Sequence, residues 1–239
     1  MKINVLYSNI FLDDLYFTGK TVVVIDVLRA TSVIVTAIAN GAREIIPVST
    51  LDFAMKVSGD AFRSQTLLCG ERNTKMVEGF NLGNSPSEYT SEVVSGKSII
   101  LYTTNGSKSI VKAKFAENLF IASFLNLKVV VKHLKKLKKD VDIVCAGTNG
   151  FFNMEDSICA GTIVSELKNE IDNLTLSDSA AASVTLSKFT ARSIPNMLHK
   201  TEHGKLLIEN GFKADVEDCA ILDKYNVIPY YVSGVLKKL

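Results

Sequence analysis

The sequence predicts an α/β protein with a mainly parallel sheet flanked by helices and a helical insertion before the last strand. Three observations carry this prediction. Apolar runs of strand length recur along the chain, separated by polar or Gly-containing breaks and helix-like segments. Several runs are continuously hydrophobic rather than alternating, as strands covered on both faces are. The alternation then stops between residues 172 and 212, where helical patterns alone are read.

The predicted strands, in order, are "INVLYS" (3–8), "TVVVID" (21–26), "EIIPVS" (44–49) and "TLLCG" (66–70). They continue with "SIILYTT" (98–104), "NLFIAS" (118–123), "VDIVCAG" (141–147) and "VIPYYVS" (227–233). Among the helices, "ATSVIVTAIANG" (30–41) has Thr and Ser near its start and Asn-Gly at its end. "LDFAMKVSGDAF" (51–62) is interrupted by Gly59. "NGSKSIVKAKFA" (105–116) and "NLKVVVKHLKKLKK" (126–139) are amphipathic, and the lysines of the second read as a solvated face. "MEDSICAGTIVSELKNEI" (154–171) places acids in its first turn, where they favour the helix dipole. Residues 178–211 read as two or three helices broken near Ser193-Ile194-Pro195. With no clear linker, repeat or low-complexity tract, residues 1–239 are expected to form a single α/β unit; two interleaved lobes stay open.

The bulk properties exclude several function classes. A chain of 239 residues that is 47% hydrophobic and 22% charged can bury a substantial core, so disorder is not expected. A formal net charge of +2 gives no electrostatic footprint for nucleic acid. Cys69, Cys145, Cys159 and Cys219 form no CxxC pair and read as structural thiols in a reducing compartment. The N-terminal "MKINVLYSNI" lacks a signal-peptide pattern, and no apolar run approaches the roughly 20 residues of a membrane span. A cytoplasmic location without membrane contact is expected, and the apolar helices allow a homodimer.

In open α/β sheets, ligands bind beyond the C-terminal ends of the strands. Read there, the chain offers Asp26 with Arg29, Thr31 and Ser32, then Glu71, Arg72 and Asn73. It next offers Thr103, Thr104, Asn105 and Gly106, then Thr148, Asn149 and Gly150, with Glu155 and Asp156 at a helix start. Each cluster has a plain structural reading as a turn, cap or solvated loop. Together they share one competence, the binding of oxyanions and hard cations. Arginine offers a planar fork, an Asn-Gly turn lets backbone amides approach a phosphate, and carboxylates hold Mg²⁺ with water and substrate oxygens. "GFNLGNSPSEY" reads as a shaped loop leading into a short helix, able either to close on a ligand or merely to connect. His133 reads as a surface residue of the lysine-rich helix. His199 and His203, four apart, would share a helix face, but "HKTEH" lacks the order of a zinc helix; His203 remains a candidate acid or anion contact.

Taken in order, "DVLRATS", "GERN", "GFNLGNSP", "TTNG" and "CAGTNGFFNMED…CAG" resemble the 2-phosphosulfolactate phosphatases, over nearly the whole chain. The resemblance implies a Mg²⁺-dependent phosphatase that hydrolyses (2R)-2-phospho-3-sulfolactate to sulfolactate and phosphate in coenzyme M biosynthesis. It implies an active-site wall with Asp26 and Arg29 as catalytic residues. It further implies substrate contacts from Arg29, Glu71, Arg72, Asn84, Thr103, Thr104, Asn105 and Gly106, and a metal site at Asp26, Glu155 and Asp156. One departure is Asn81, which stands where the family pattern more often has Asp.

The expected reaction is hydrolysis of a small anionic phosphate ester. Mg²⁺ would neutralise charge between enzyme and phosphate, and the nucleophile would be a metal-bound water or Asp26. Leu28 stands where an aspartyl phosphatase of the haloacid-dehalogenase type carries its second acid, and no cysteine is followed six residues later by arginine. The rival readings are a phosphate-ester-binding transferase and a non-catalytic anion-binding protein; the absence of a P-loop and of GxGxxG weakens the first.

Overall fold

The computed structural model describes residues 1–57, 65–190 and 193–239. The first half of the chain contains β1 (Lys2–Leu6), β2 (Thr21–Ile25), α1 (Ala30–Ala39), β3 (Glu44–Val48), α2 (Leu51–Val57), β4 (Thr66–Arg72) and β5 (Lys75–Met76). Then come α3 (Ser91–Val94), β6 (Ser98–Tyr102), α4 (Gly106–Lys112), β7 (Asn118–Ala122), α5 (Leu127–Leu137), β8 (Val141–Cys145) and α6 (Met154–Glu170). The last part holds β9 (Thr175–Leu176), α7 (Asp178–Thr190), α8 (Ile194–Leu198), α9 (Glu202–Glu209), α10 (Lys213–Cys219), β10 (Pro229–Val232) and β11 (Val235–Lys238).

The strands form one mixed sheet in the order β5-β4-β6-β3-β11-β10-β7-β2-β8-β1-β9. β7, β2, β8, β1 and β9 are mutually parallel, and so are β4, β6 and β3. The hairpin of β10 and β11 joins the two blocks through antiparallel contacts to β7 and β3. Three successive reversals make the blocks run in opposite senses. The mainly parallel sheet expected from the sequence is thus present, as two parallel blocks of opposite sense.

Strand periodicity assigns the core. Every residue of β2 and of β6 is buried, as the continuous apolar runs predict. Val22 and Val24 of β2, with Ile45, Ile99 and Leu101 of the other block, pack on Val33, Ile34, Val35 and Ile38 of α1. A helix apolar on all sides must be enclosed, and α1 is: each residue from Ala30 to Ile38 is buried. The alternate residues Val23 and Ile25, with Phe120 and Ile143, face outward onto α5, α6 and α7. Val48, Ile100 and Tyr102 pack with Ala54 of α2.

This wrapping positions the site. Twist accumulates across a sheet, and here it curls the two blocks about α1 so that their C-terminal loops meet. The register sets residues 25, 122 and 145 side by side in one block, and residues 48, 102 and 70 in the other. Direct contact across the junction follows: Asn105 after β6 accepts a hydrogen bond on Oδ1 from the Asn149 amide after β8, at 3.0 Å.

Several predictions from the sequence need correction. The stretch predicted as purely helical from residue 172 contains the edge strand β9, and the chain ends on a hairpin rather than one strand. The helix predicted over 51–62 is seen to Val57, and residues 58–62 lie outside the described residues. His133 is half-buried, edge-on to Phe120 at 4.8 Å between ring centroids. His199 and His203 do not share a helix, because His199 caps α8 and His203 sits in the first turn of α9. All four cysteines are buried free thiols. Among the described residues, no helix is long and apolar enough to cross a membrane.

Candidate active site

The loop after β2 is knitted to itself. Thr31 Oγ1 accepts from the Asp26 amide at 3.0 Å and donates to the Asp26 carbonyl at 2.8 Å, and Ser32 Oγ donates to the Val27 carbonyl at 2.8 Å. The loop thus fixes Asp26, whose carboxylate faces the start of α4. A Cβ at Gly106 would lie 2.5 Å from Asp26 Oδ2 and 2.5 Å from the Ala30 Cβ, so glycine is required there for close approach. Burial, reinforced by the charge of Asp156, holds the Asp26 carboxyl well above the usual carboxylate range.

Asp26 stands at the wall of a cavity of about 540 Å³, together with Arg29, Glu71, Arg72, Asn84, Thr104 and Asn105. These predicted residues, drawn from three loops and the end of β4, are brought together. Their engagements differ. Arg29 donates to Asp215, to Ser85 Oγ at 3.3 Å and to the Thr74 carbonyl at 2.6 Å, and it stacks on Phe212 at 4.2 Å. Its fork is therefore engaged within the protein. Glu71 is a clamp: Oε1 accepts from the Thr104 amide at 2.7 Å and Oε2 from the Thr74 amide at 2.9 Å. Arg72 is exposed at the cavity mouth and has no ion-pair partner among the described residues. Asn84 Oδ1 and Thr104 Oγ1 are buried without hydrogen-bond partners. In a native fold such atoms mark a place for ligand or water.

Four predicted residues do not line this cavity, the first being Gly106, which instead lets Asp26 and Ala30 approach the start of α4. Thr103 braces α4, its Oγ1 accepting from the Ser107 amide at 2.9 Å. Asp156 ties two loops together: Oδ1 accepts from the Val27 amide at 2.8 Å and Oδ2 from the Gly147 amide at 3.1 Å. Glu155 is 1% exposed, with Oε1 unpartnered. Burial and then the charge of Asp156 push Glu155 up to about 8, while burial moves Asp156 to about 6. Among the described residues, no three acid, histidine or cysteine side chains stand preassembled as a metal site, although the charges of Asp156 and Glu155 both act on Asp26. Asn81 is also away from the cavity; its Oδ1 accepts from the Leu68 amide at 2.8 Å, a role a carboxylate would fill equally.

The cavity also contains Thr74, Lys75 and Asn210, which the sequence did not mark, and Thr148, Asn149 and His203, which it marked as polar candidates without a role. Thr148 and Asn149 stand at a strand end already marked as polar. Lys75 arrives through a tight hairpin whose turn residues, Asn73 and Thr74, have φ of 55° and 70°, and "NT" lacks the glycine that signals such a turn. His203 Nδ1 is buried without a partner, and burial lowers its pKa, favouring the neutral ring.

The charge pattern bears on a cation. Among the described residues, the buried charged groups are the carboxyls of Asp26, Glu71, Glu155, Asp156 and Asp215 against the single guanidinium of Arg29. A phosphate dianion cannot approach such a surplus of carboxylate without protonation or a counter-cation. Asp26 is the cavity carboxylate with an oxygen not claimed by a backbone amide. One carboxylate plus water and phosphate oxygens is a common Mg²⁺ environment. The residues therefore fit a cation held at Asp26.

The 2-phosphosulpholactate phosphatase family model matches residues 12–234. The chain is 45% identical over 216 residues to a protein of Thermotoga maritima named a probable 2-phosphosulfolactate phosphatase, covering 90% of this chain and 91% of that one. A protein of the same name from Caldanaerobacter subterraneus subsp. tengcongensis is 41% identical over 91% of this chain and 90% of its own. Another, from Clostridium botulinum (strain Eklund 17B / Type B), is 36% identical over the full length of both. A match spanning every residue that lines the cavity places this chain in the 2-phosphosulpholactate phosphatase family.

Proposed function

We propose that the protein is a Mg²⁺-dependent phosphomonoester hydrolase. Its substrate is (2R)-2-phospho-3-sulfolactate or a close analogue, and its products are phosphate and sulfolactate for coenzyme M biosynthesis. The observation that carries this reading is the cavity itself: an acid, Asp26, in a pocket with unpartnered hydrogen-bonding atoms on Asn84 and Thr104 and uncommitted cationic side chains. Arg72 and Lys75, at the mouth, draw in the anion and contact phosphoryl oxygens. Thr104 Oγ1 donates to the same group, and Asn105 with Asn149 forms the sill on which it rests. Mg²⁺ bound at Asp26 would neutralise the charge between this carboxylate and the ester. Arg29 and Glu71 act as positioning residues, the first holding the Thr74 turn and the second the Thr104 amide. His203, neutral near pH 7, lines the same cavity and can act as a base that takes a proton from the attacking water.

Phosphate release from a panel of small esters, with and without EDTA and on Asp26→Asn, tests this. We expect at least a hundredfold loss of kcat/KM in the variant and abolition by EDTA. Full activity in either condition refutes the assignment, and binding without phosphate release turns the reading to an anion-binding protein.

A further inference from the structure

A second cavity of about 390 Å³ adjoins the first and shares Thr104, Asn105 and Asn149 as a common wall. Its chemistry is different. Lys108 and Lys112 line it, and no acidic residue does so among the described residues. Lys112 is held in place by the Ile10 carbonyl, which its Nζ contacts at 2.9 Å, while Lys108 is exposed and has no partner among the described residues. Asn9 is 7% exposed, and its Nδ2 is buried with no acceptor. Thr104 Oγ1, equally unpartnered, sits on the shared wall. A buried amide donor without a partner is costly in a folded protein, and an oxyanion would satisfy it.

We propose that this annex is the subsite for the second anionic group of the substrate, a carboxylate or sulfonate carried beside the phosphate ester. The proposal rests on the phosphatase reading of the main cavity and extends it. The two compartments sort charges. The acid-walled cavity takes the phosphoryl group with its cation, and the lysine-lined annex takes the tail anion directly, through Asn9 Nδ2 and the ammonium of Lys108. An ester with a neutral tail leaves Asn9 unpaired and loses the attraction of the lysines, so the annex selects for esters that carry a second anionic group beside the phosphate.

The test uses 2-phosphoglycerate and glycerol 2-phosphate, which differ by one carboxylate, on the wild type, Lys108→Met and Asn9→Leu. A calorimetric titration with 3-sulfolactate, which carries the tail anions and no phosphate, accompanies it. We expect KM for 2-phosphoglycerate and Kd for sulfolactate to rise about tenfold in Lys108→Met, with glycerol 2-phosphate kinetics within about twofold. Asn9→Leu should act in the same direction, and the exposed Lys108 variant guards against misfolding of the other. Equal effects on the two esters, or unchanged sulfolactate affinity, overturn the annex. If the wild type releases phosphate from neither ester while Lys108→Met still weakens sulfolactate, the annex stands and the phosphatase reading falls.

Discussion

At the scale of single residues, the site is a contest between burial and charge. Glu155 is enclosed in the first turn of α6 beside Asp156, and its proton is retained up to about pH 8. The sign follows from proton counting. In the unfolded chain this carboxyl ionises near its ordinary 4.5, so between pH 4.5 and about 8 the folded state binds more protons. Stability from this group is therefore greatest below the unfolded value and declines as pH rises through that window. Glu155→Gln, which is neutral throughout, should leave the melting temperature unchanged near pH 4.5. At pH 8 it should raise it by an amount corresponding to roughly 1–3 kcal/mol. Thermal melts across this range check the slope; parallel curves for the two proteins reject it. The residue types of the site were legible in the sequence because strand ends announce themselves. Their engagements were not. That Arg29 meets Asp215, 186 positions away, is a fact of tertiary contact with no local trace.

Among the elements, loops and helices are held at close quarters by a few contacts that fix their spacing. The Arg29–Asp215 pair is nearly enclosed and joins the loop after β2 to α10, while Ser85 Oγ donates to the same carboxylate oxygen at 2.7 Å. Removing one partner leaves a buried charge uncompensated, so Asp215→Ala should cost about 3–5 kcal/mol in denaturant unfolding. It should also lower activity by releasing the Thr74 turn that Arg29 Nη2 holds. A loss below about 1 kcal/mol would show that the pair is not the fastening described. A second close approach is at Gly161 of α6, where an added Cβ would overlap the Ser183 carbonyl of α7. Gly161→Ala should destabilise by about 1–3 kcal/mol without changing KM, because this packing lies away from the cavity. Elements of this kind were readable where their pattern was long: β2, β6, α1 and α6 follow from their long patterns, although Thr31 and Ser32 lie inside α1 instead of capping it. The two-residue strands β5 and β9 carry no periodicity at all, and "VLKK" in β11 is too short and too basic to announce a strand.

On the scale of the whole molecule, the hairpin of β10 and β11 decides whether the site exists. The residues that line the cavity belong to two parallel blocks, Asp26 and Asn149 to one and Glu71 and Asn105 to the other. Within the sheet, among the described residues, only this hairpin connects them, through the register pairs Tyr230↔Phe120 and Leu236↔Ile45. Leu236 is fully buried and joins the core around α1. Without the hairpin, β7 and β3 become open edges, and α1 loses the continuous wall that encloses it. Ending the chain after Asn226 should therefore abolish cooperative unfolding, and Leu236→Ala should cost about 2–5 kcal/mol in the intact chain. The sequence could not disclose this dependence, since a parallel sheet read as one block needs no joint. The reversal of strand sense becomes visible only when the blocks are seen to face one another. Circular dichroism melts and phosphate release on both variants check the argument. A truncated chain that melts in one transition near the wild-type temperature would mean that α1 and the loops alone hold the two blocks in register. An inactive truncation with a stable, active Leu236→Ala would place the hairpin's contribution in its backbone pairing rather than in its buried side chain.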